Sequence, residues 1–344
     1  MRRLGIVAVG LVAAIAAGVV ATTSTHADAR YQSEVFASAT VTSNVVYGQA
    51  RDEYGQPVTL LLDLYQPTDD TIPGRPALVW IHGGGFTGGS KSDETAVTVA
   101  NRFARRGYVV ISIDYRTRPG NYFEQGDTGL ASAVLDAQHD AQASVRWLRA
   151  NASTYRIDSS RIAVGGTSAG AITALQVAYN SGDPGDSGNP GYASTVSAVV
   201  DVSGATATSL IDAGEPPVLI VHGAIDERVA FDNALDIVAR AEEVGVPCEF
   251  HPLEDAGHGL WKAGHTEPII GWMSDFLYAW VAPSVVSGIA ELPAAADSSA
   301  EQAGTPAEGS GWSAGHYAAL ASGLAAPLVV IVAGAWYARR RRLR

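Results

Sequence analysis

The sequence predicts an α/β domain in which helices cover both faces of an eight-stranded, mostly parallel β-sheet. From Ser43 to Ala282, short runs rich in β-branched residues alternate with longer stretches of helical periodicity, an alternation typical of this class. With 344 residues, 47% of them apolar, the chain is long enough to bury the core of one large domain or of two small ones.

The predicted elements follow one another in a regular order along the chain. The predicted strands are residues 44–48, 58–66, 77–83, 108–115, 161–166, 196–204, 217–226 and 248–253. The predicted helices are residues 95–106, 130–150, 168–180, 231–243 and 268–282. Because no helix separates the first two strands, we expect them to form an antiparallel hairpin at one edge of the sheet.

The amino-terminal residues 1–29 have the pattern of a secretory signal peptide. Two arginines precede an apolar run over residues 4–21, and small and polar residues then offer Ala-x-Ala-like cleavage near Ala27 or Ala29. The apolar run is nearly long enough to span a bilayer, so an uncleaved anchor is the alternative. Residues 31–282 are predicted to form the folded domain.

The carboxyl-terminal residues predict a membrane anchor. Residues 283–316 are rich in Ala, Ser, Gly, Pro and Glu, as in a flexible spacer. Residues 317–338 carry no charge and are long enough to cover the roughly 30 Å of a bilayer core. Five arginines stand in the basic tail, residues 339–344, and arginine-rich flanks stay in the cytoplasm. We therefore expect a single-pass protein of the cell membrane with its folded domain outside the cell; a buried core helix is the alternative.

Charge and cysteine content narrow the possible partners. Residues 31–316 carry 15 Lys and Arg against 34 Asp and Glu, and so acidic a region repels nucleic acid. The single cysteine, Cys248, excludes an internal disulfide and is interpreted as a packing residue in a strand-like run. Nothing in the sequence indicates an oligomeric state.

The stretch VGGTSAGA, residues 164–171, places Ser168 at the centre of a G-x-S-x-G motif. It follows a strand-like run and begins a helix-like one, which is the context of a nucleophile elbow. In so tight a turn the positions two before and two after the serine, Gly166 and Gly170, must be small. The motif therefore predicts Ser168 as a nucleophile presented at the carboxyl edge of the sheet.

A serine hydroxyl needs a base that takes its proton and an acid that orients the base. In this architecture the acid and then the histidine follow the serine in the chain. Asp226 stands just past a predicted strand and His258 lies in a glycine-flanked loop past the next one. Because parallel strands end at one edge of the sheet, we expect both side chains to meet Ser168 there.

Other residues compete for these two roles. Asp201, at the end of the preceding predicted strand, and Asp255, three residues before the candidate histidine, are the alternative acids. His222 and His251 lie in predicted strands and are interpreted as packing residues, whereas His265 comes late in the chain for a base.

The stretch WIHGGGFTGGS predicts the donors for an oxyanion. It follows a predicted strand, and its glycines let backbone N–H groups turn towards a developing negative charge. We expect the donors to be the N–H groups of Gly84, Gly85 and Ala169. His82 is interpreted as a brace for the loop and Gly83 as part of its motif. A phosphate-binding loop is the alternative, but no G-K-[ST] follows.

The motifs VWIHGGGF, IDYR, GGTSAG, HGAIDERV and DAGHG, in this order, strongly resemble the α/β-hydrolase superfamily. The resemblance is closest to its HGGG-bearing serine esterases, of the hormone-sensitive-lipase-like and the feruloyl or acetyl-xylan-esterase-like groups. It covers about residues 43–282. It implies the α/β-hydrolase fold and the hydrolysis of carboxylic esters through an acyl-enzyme, without a metal or an organic cofactor.

The sequence departs from relatives that carry a large lid. Only about 13 residues, 205–217, link the sixth and seventh predicted strands, which predicts a minimal lid. Further cover is expected from residues 31–42 and from residues 116–129, where Tyr122 and Phe123 are candidates for the rim of the pocket. We therefore expect an open site that favours short-acyl esters, or esters projecting from large molecules such as acylated polysaccharides.

The sequence is compatible with two other functions. A serine peptidase of the prolyl-oligopeptidase type shares the motif order, although such enzymes usually add a large propeller, for which about 30 residues before the first strand leave no room. A non-catalytic surface adhesin on a hydrolase scaffold is the third possibility, but such proteins typically lose the serine or the histidine.

Overall fold

The computed structural model describes residues 29–120, 129–262 and 264–282. Its strands are β1 Ala39–Arg51, β2 Pro57–Pro67, β3 Arg75–Ile81, β4 Val109–Ile113, β5 Ile157–Thr167, β6 Ala198–Val202, β7 Val218–Gly223 and β8 Cys248–Leu253. Its α-helices are α1 Glu94–Ala104, α2 Leu130–Ala150, α3 Ala169–Tyr179, α4 Asp232–Val244 and α5 Thr266–Trp280. Each predicted strand and helix overlaps one of these elements.

All eight strands form one sheet in the order β1-β2-β4-β3-β5-β6-β7-β8. Strand β2 runs antiparallel to β1 and to β4, and every other neighbouring pair is parallel. The antiparallel hairpin lies at one edge, as the missing helix between its strands predicted. The mostly parallel sheet with helices confirms the predicted fold class.

The helices cover both faces of the sheet because successive side chains of a strand point to opposite faces. In β3, Ala77, Val79 and Ile81 pack in a core layer with α2, α3 and α4. Leu78 and Trp80, between them, pack in the other layer with α1 and α5. Every residue of β3 is buried, so the middle of the sheet is a rigid support for the loops at its carboxyl edge.

Strand β1 extends well beyond its predicted range. It covers residues 39–51 rather than 44–48, and most of its residues are exposed or half-buried. Val45, Tyr47 and Ala50 pack against the core, but most other residues of this edge strand face solvent, so the apolar alternation in its sequence is incomplete. Its pairing with β2 is irregular between Thr42 and Val45 and again between Val46 and Gly48.

The carboxyl edge of the sheet is only lightly covered where relatives often insert a lid. All residues between β6 and β7 are described, and they form loops around a short 3-10 turn, Thr208–Leu210. The predicted minimal lid is therefore confirmed. The predicted rim residues Tyr122 and Phe123 lie outside the described residues.

The predicted terminal segments cannot be compared with the structure. The signal peptide, the spacer, the anchor over residues 317–338 and the basic tail lie outside the described residues, apart from residue 29, and stay predictions. Within the described ranges, none of the helices combines the length and the apolar character that crossing a bilayer requires.

Candidate active site

Ser168 stands in the sharp turn between β5 and α3, with a backbone conformation that L-residues rarely adopt. Its φ is 55° and its ψ is −122°. Two backbone hydrogen bonds hold the turn: the N–H of Ser168 donates to Val202 O at 2.9 Å, and its carbonyl accepts from the N–H of Ile172 at 2.9 Å. Strain of this kind persists only where the surrounding structure enforces it, and it occurs often at active sites.

The two glycines of the motif leave no room for a side chain. A Cβ atom at Gly170 would lie 2.1 Å from Ile81 O, and one at Gly166 would lie 2.4 Å from the carbonyl carbon of Gly170. Both positions therefore have to be glycine for β3, β5 and α3 to approach this closely, as the motif predicted. Gly83 is also close to the turn, with Thr167 O at 3.1 Å from its would-be Cβ.

A chain of hydrogen bonds joins the three predicted residues. Ser168 Oγ lies 2.8 Å from His258 Nε2, and His258 Nδ1 lies 2.8 Å from Asp226 Oδ2. Asp226 is 6% exposed, whereas Ser168 is half-buried and can be reached from solvent. The structure thus brings together, from the ends of β5, β7 and β8, the groups that the sequence singled out.

The carboxylate of Asp226 is fixed at both oxygens. Its Oδ1 accepts the backbone N–H groups of Arg228 at 2.8 Å and Val229 at 3.0 Å. Burial raises the pKa of Asp226, but His222, with Nε2 at 3.5 Å, and hydrogen bonds from His258 and the N–H of Val229 outweigh burial and hold the pKa well below the usual range of an aspartate. Asp226 therefore stays an anion that can stabilise a proton on His258.

The competing residues occupy other places. Asp201 is fully buried, and its Oδ1 accepts the N–H of Gly204 at 2.6 Å. The exposed Asp255 has its carboxylate 3.7 Å from His265 Nε2. His251 stacks on the ring of Trp272, with 4.1 Å between ring centroids. Among the described residues, none of these side chains hydrogen-bonds to His258.

The predicted oxyanion loop follows β3 and passes beside Ser168. Three successive residues have positive φ: Gly84 at 118°, Gly85 at 63° and Phe86 at 62°. Within the described part of the chain, the N–H groups of Gly84, Gly85 and Ala169 donate to no acceptor. Unpaired N–H groups next to a serine hydroxyl are what the stabilisation of an oxyanion requires.

Two aromatic rings brace this loop. The ring of His82 stacks on that of Tyr115, with 4.4 Å between centroids, and the Tyr115 hydroxyl donates to His82 O at 3.1 Å. His82 Nδ1 lies 2.6 Å from Gly83 O. Burial lowers the pKa of His82 despite this hydrogen bond, so the ring is neutral and Nδ1 donates its proton to the carbonyl. The ring is a brace rather than a base for Ser168.

Sequence reasoning missed several groups around the site. Tyr115 was seen only as part of a motif, and the backbone N–H groups that hold Asp226 have no side-chain signal at all. Trp261 Nε1 donates to Thr167 Oγ1 at 3.2 Å, which ties the loop of His258 to the serine turn. For Trp261, the signal that could have found it was its position in the chain, three residues after His258.

This arrangement has the parts that nucleophilic acyl transfer needs. It has a serine in contact with a histidine, a buried carboxylate on the far side of that histidine, and unpaired backbone donors beside the serine. The serine is reachable, while the carboxylate is shielded from water.

Comparison with known proteins gives two matching family models. The model described as BD-FAE matches residues 62–209. The model of the Prolyl oligopeptidase family matches residues 185–283. The first range contains the glycine loop and Ser168, and the second contains Asp226 and His258, so the two models together cover the whole hydrogen-bonded chain.

Several relatives of this chain are named as esterases. Esterase LipC of Mycobacterium tuberculosis is 25% identical over 60% of this chain and 58% of its own length. Liver carboxylesterase 1 of Oryctolagus cuniculus is 34% identical over 32% of this chain and 19% of its own length. The chain thus spans less than two thirds of the length of these relatives.

Solved structures share the fold. Thermogutta terrifontis esterase 2 phosphorylated by paraoxon superposes with a TM-score of 0.58 at 25% identity. The superposition covers 72% of this chain and 96% of that structure. The native form of the same esterase gives a TM-score of 0.58 at 23% identity, over 73% of this chain and 95% of that structure.

Proposed function

We propose that this chain, which belongs to the α/β-hydrolase superfamily, is a serine carboxylesterase that works through an acyl-enzyme. The observation that carries the proposal is the hydrogen-bonded chain from Ser168 through His258 to Asp226, beside a loop with unpaired backbone donors. The esterase relatives support the same reaction class.

The geometry assigns a step to each residue of the triad. Ser168 Oγ attacks the ester carbonyl carbon while its proton passes to His258 Nε2, 2.8 Å away. Asp226 stabilises the imidazolium that forms. His258 then gives this proton to the departing alcohol oxygen, and the acyl group stays on Ser168. A water molecule, deprotonated by His258, attacks the acyl carbon, and the acid leaves as the serine proton returns.

The oxyanion of each tetrahedral intermediate is assigned to the N–H groups of Gly84, Gly85 and Ala169. Removing one donor of this kind typically costs about 3 to 4 kcal/mol of transition-state stabilisation, because no water replaces it with the right geometry. The loop conformation is therefore a catalytic feature in this proposal.

The substrate class in the proposal is an ester of a short acyl group, or an ester that projects from a larger molecule. The short link between β6 and β7 supports this, since it adds no lid that would enclose a long acyl chain. Nitrophenyl esters of increasing acyl length test it: turnover should be greatest for short acyl groups. A profile that peaks at long chains would contradict it.

The location in the proposal is the outer face of the cell membrane. It rests on the sequence pattern of residues 1–29 and 317–344. Treating intact cells with a protease should remove the activity of the folded domain without lysis. Activity that is protected until lysis would contradict an outside location.

The decisive experiment for the reaction is Ser168→Ala. It should lower kcat by on the order of 10⁴-fold or more and abolish covalent labelling by a fluorophosphonate. The organophosphate reaction named for esterase 2 makes such a probe suitable. Ser274→Ala, which removes a serine hydroxyl on α5, is the control and should be labelled normally. Labelling that persists in Ser168→Ala would reject the assignment; no labelling of the wild type would favour a non-catalytic binding protein.

A second candidate is a serine peptidase, because the Prolyl oligopeptidase family model matches residues 185–283. Both candidates need the same triad, so the labelling experiment does not separate them. Parallel assays with nitrophenyl acetate and with a prolyl amide do. We expect turnover of the ester and none of the amide above the Ser168→Ala background.

A further inference from the structure

His222 lies behind the triad acid, at the end of β7. Its ring is fully buried, and Nε2 lies 2.9 Å from Val229 O and 3.5 Å from Asp226 Oδ2. An N–H at Nε2 therefore faces both the carbonyl that closes the 226–229 turn and the oxygen that receives His258. The rings of His222 and His258 therefore approach the same oxygen of the triad acid.

Asp201 stands on the neighbouring strand, on the same face of the sheet. It pairs with Ile220, two residues before His222, and strand residues two apart share a face. The Oδ2 atom of Asp201 and the Nδ1 atom of His222 are both buried, and neither has a hydrogen-bond partner among the described residues. Two orphaned polar atoms of complementary kind thus lie at the ends of adjacent strands.

Charge decides which protonation state suits this arrangement. Asp201 and Asp226 are two buried carboxylates, and a buried anion without a cation is costly. In the part of the chain that the structure describes, neither carboxylate has a lysine or arginine within 4.0 Å. His222 Nε2 lies 3.5 Å from Asp226 Oδ2, whereas Asp201, on the neighbouring strand, lies outside ion-pair distance of the ring. A proton on both ring nitrogens gives Nδ1 a hydrogen to direct towards Asp201 and leaves Nε2–H for Asp226 and Val229.

We propose that His222 is a positioning residue of the esterase site, held as an imidazolium between the carboxylates of Asp226 and Asp201. Its Nε2–H fixes the turn that carries Asp226 and so the direction in which Oδ2 meets His258. Asp201 is the counter-ion that keeps the proton on His222. The effect on turnover rests on the proposed function, whereas the protonation state of His222 does not.

The surrounding groups support this state. Burial lowers the pKa of His222, but Asp226 and Asp201 outweigh burial and raise the pKa above its ordinary value. Burial raises the pKa of Asp201 to about 6, against the opposing effect of His222. The other titratable groups near Asp201 are Tyr179 and Cys248, whose pKa values burial raises, so both stay neutral. The two pKa values thus move in the directions that favour an imidazolium beside a carboxylate.

The first measurement reads the proton directly. In full-length protein labelled with ¹⁵N-histidine in detergent micelles, the ring resonances of His222 are assigned by their loss in His222→Gln. At pH 7 both nitrogens of His222 should show the shifts of an imidazolium, and Asp201→Asn should convert the ring to the neutral form. A neutral ring in the wild type overturns the proposal, whether or not the protein hydrolyses esters.

The second measurement reads the positioning. His222→Leu should lower kcat for nitrophenyl acetate by about 10- to 100-fold, the loss expected for a hydrogen bond to a charged group, with KM changed less than about twofold. His222→Gln keeps a donor at the place of Nε2 and should recover part of that loss. Ser144→Ala removes a buried hydrogen bond to Ala141 O inside α2 and should leave kcat within about twofold of the wild type.

These measurements distinguish failure of the positioning role from failure of the proposed function. A folded His222→Leu with a kcat within twofold of the wild type overturns the positioning role. Should His222→Leu fail to fold, His222→Asn decides, because asparagine is too short to place a donor where Nε2 lies: a kcat well below that of His222→Gln supports the role, and an equal kcat rejects it. If the wild-type enzyme turns over no ester, the proposed function fails, and the ¹⁵N measurement still decides the state of His222.

Discussion

Two glycine-rich turns meet at Ser168, and their glycines are needed for different reasons. In the turn between β5 and α3, Gly166 and Gly170 lack room for a Cβ, and positive φ falls on the serine itself. In the loop between β3 and α1, Gly84 and Gly85 have positive φ. The first turn needs glycine because a Cβ atom would clash with neighbouring backbone. The second turn needs glycine also because its residues adopt positive φ.

The difference follows from where each turn lies. Gly170 is buried at the crossing of α3 with the end of β3, where backbone meets backbone. Gly84 is exposed on the rim of the site. A change in the buried turn should therefore disturb the fold and the chemistry together, whereas a change in the exposed loop should disturb chemistry far more than the fold.

The largest effect is expected from Gly170→Ala. Its Cβ would lie 2.1 Å from Ile81 O and 2.5 Å from His82 O, both backbone atoms of β3 and its end, so α3 would have to move away from the sheet. We expect a loss of at least about 3 kcal/mol in the free energy of unfolding and no measurable esterase activity. Urea denaturation followed by circular dichroism measures the first, and nitrophenyl acetate hydrolysis the second.

Gly271→Ala is the matched control for this variant. Gly271 lies inside α5 with no atom within 4 Å of its would-be Cβ, so alanine should stabilise the helix by up to about 1 kcal/mol and leave activity unchanged. If Gly170→Ala were as stable as Gly271→Ala, the buried turn would not depend on the absence of a side chain.

The next effect is expected from Gly84→Ala. Its φ of 118° is unfavourable for alanine, and its Cβ would lie 2.1 Å from Gly88 O, so the loop would rearrange and its N–H groups would turn away. We expect kcat to fall about 10²- to 10³-fold, the loss typical of one oxyanion donor, with KM little changed. Denaturation should show a smaller loss of stability than in Gly170→Ala, because Gly84 itself is exposed.

Gly55→Ala isolates the conformational part of this effect. Gly55 has a φ of 78° in the exposed turn between β1 and β2, with open space around it. Alanine there should cost about 1 kcal/mol of stability and no activity. An equal loss of activity in both variants would mean that Gly84 acts through stability rather than through the oxyanion.

Most of the fold was predictable because its signals are local. The strands of the middle of the sheet are short apolar runs between helical patterns, and every one of them was found from that alternation. The range of β1 was wrong because most of this edge strand is exposed and its apolar alternation is incomplete. The order of β3 and β4 in the sheet depends on how their crossovers pack, which no local pattern records.

The candidate site was predictable to the extent that its chemistry depends on residue type and chain order. The motif context and the chain order identified the three triad residues. A tight turn carries Ser168, a strand end carries Asp226 and a glycine-flanked loop carries His258, in the order serine, acid, histidine. The contact of His222 with Asp226 was not predictable. A histidine in a strand is interpreted as a packing residue until its neighbours in the fold are known. The N–H groups of Arg228 and Val229 that donate to Asp226 belong to the backbone, so the identity of the side chains could not predict them.

The smallest expected effect concerns the brace of the exposed loop. Tyr115→Phe removes the hydroxyl that donates to His82 O at 3.1 Å and keeps the stacked ring. We expect a loss of about 1 kcal/mol in the free energy of unfolding, together with a kcat lowered only a few-fold, because the loop glycines keep their torsions.

Tyr108→Phe is the control, since the buried Tyr108 hydroxyl has no partner among the described residues and its removal should cost nothing. Equal losses in the two variants would show that the hydroxyl does not hold the loop. A kcat of Tyr115→Phe as low as that of Gly84→Ala would show instead that the conformation of the loop depends on its brace more than on its glycines.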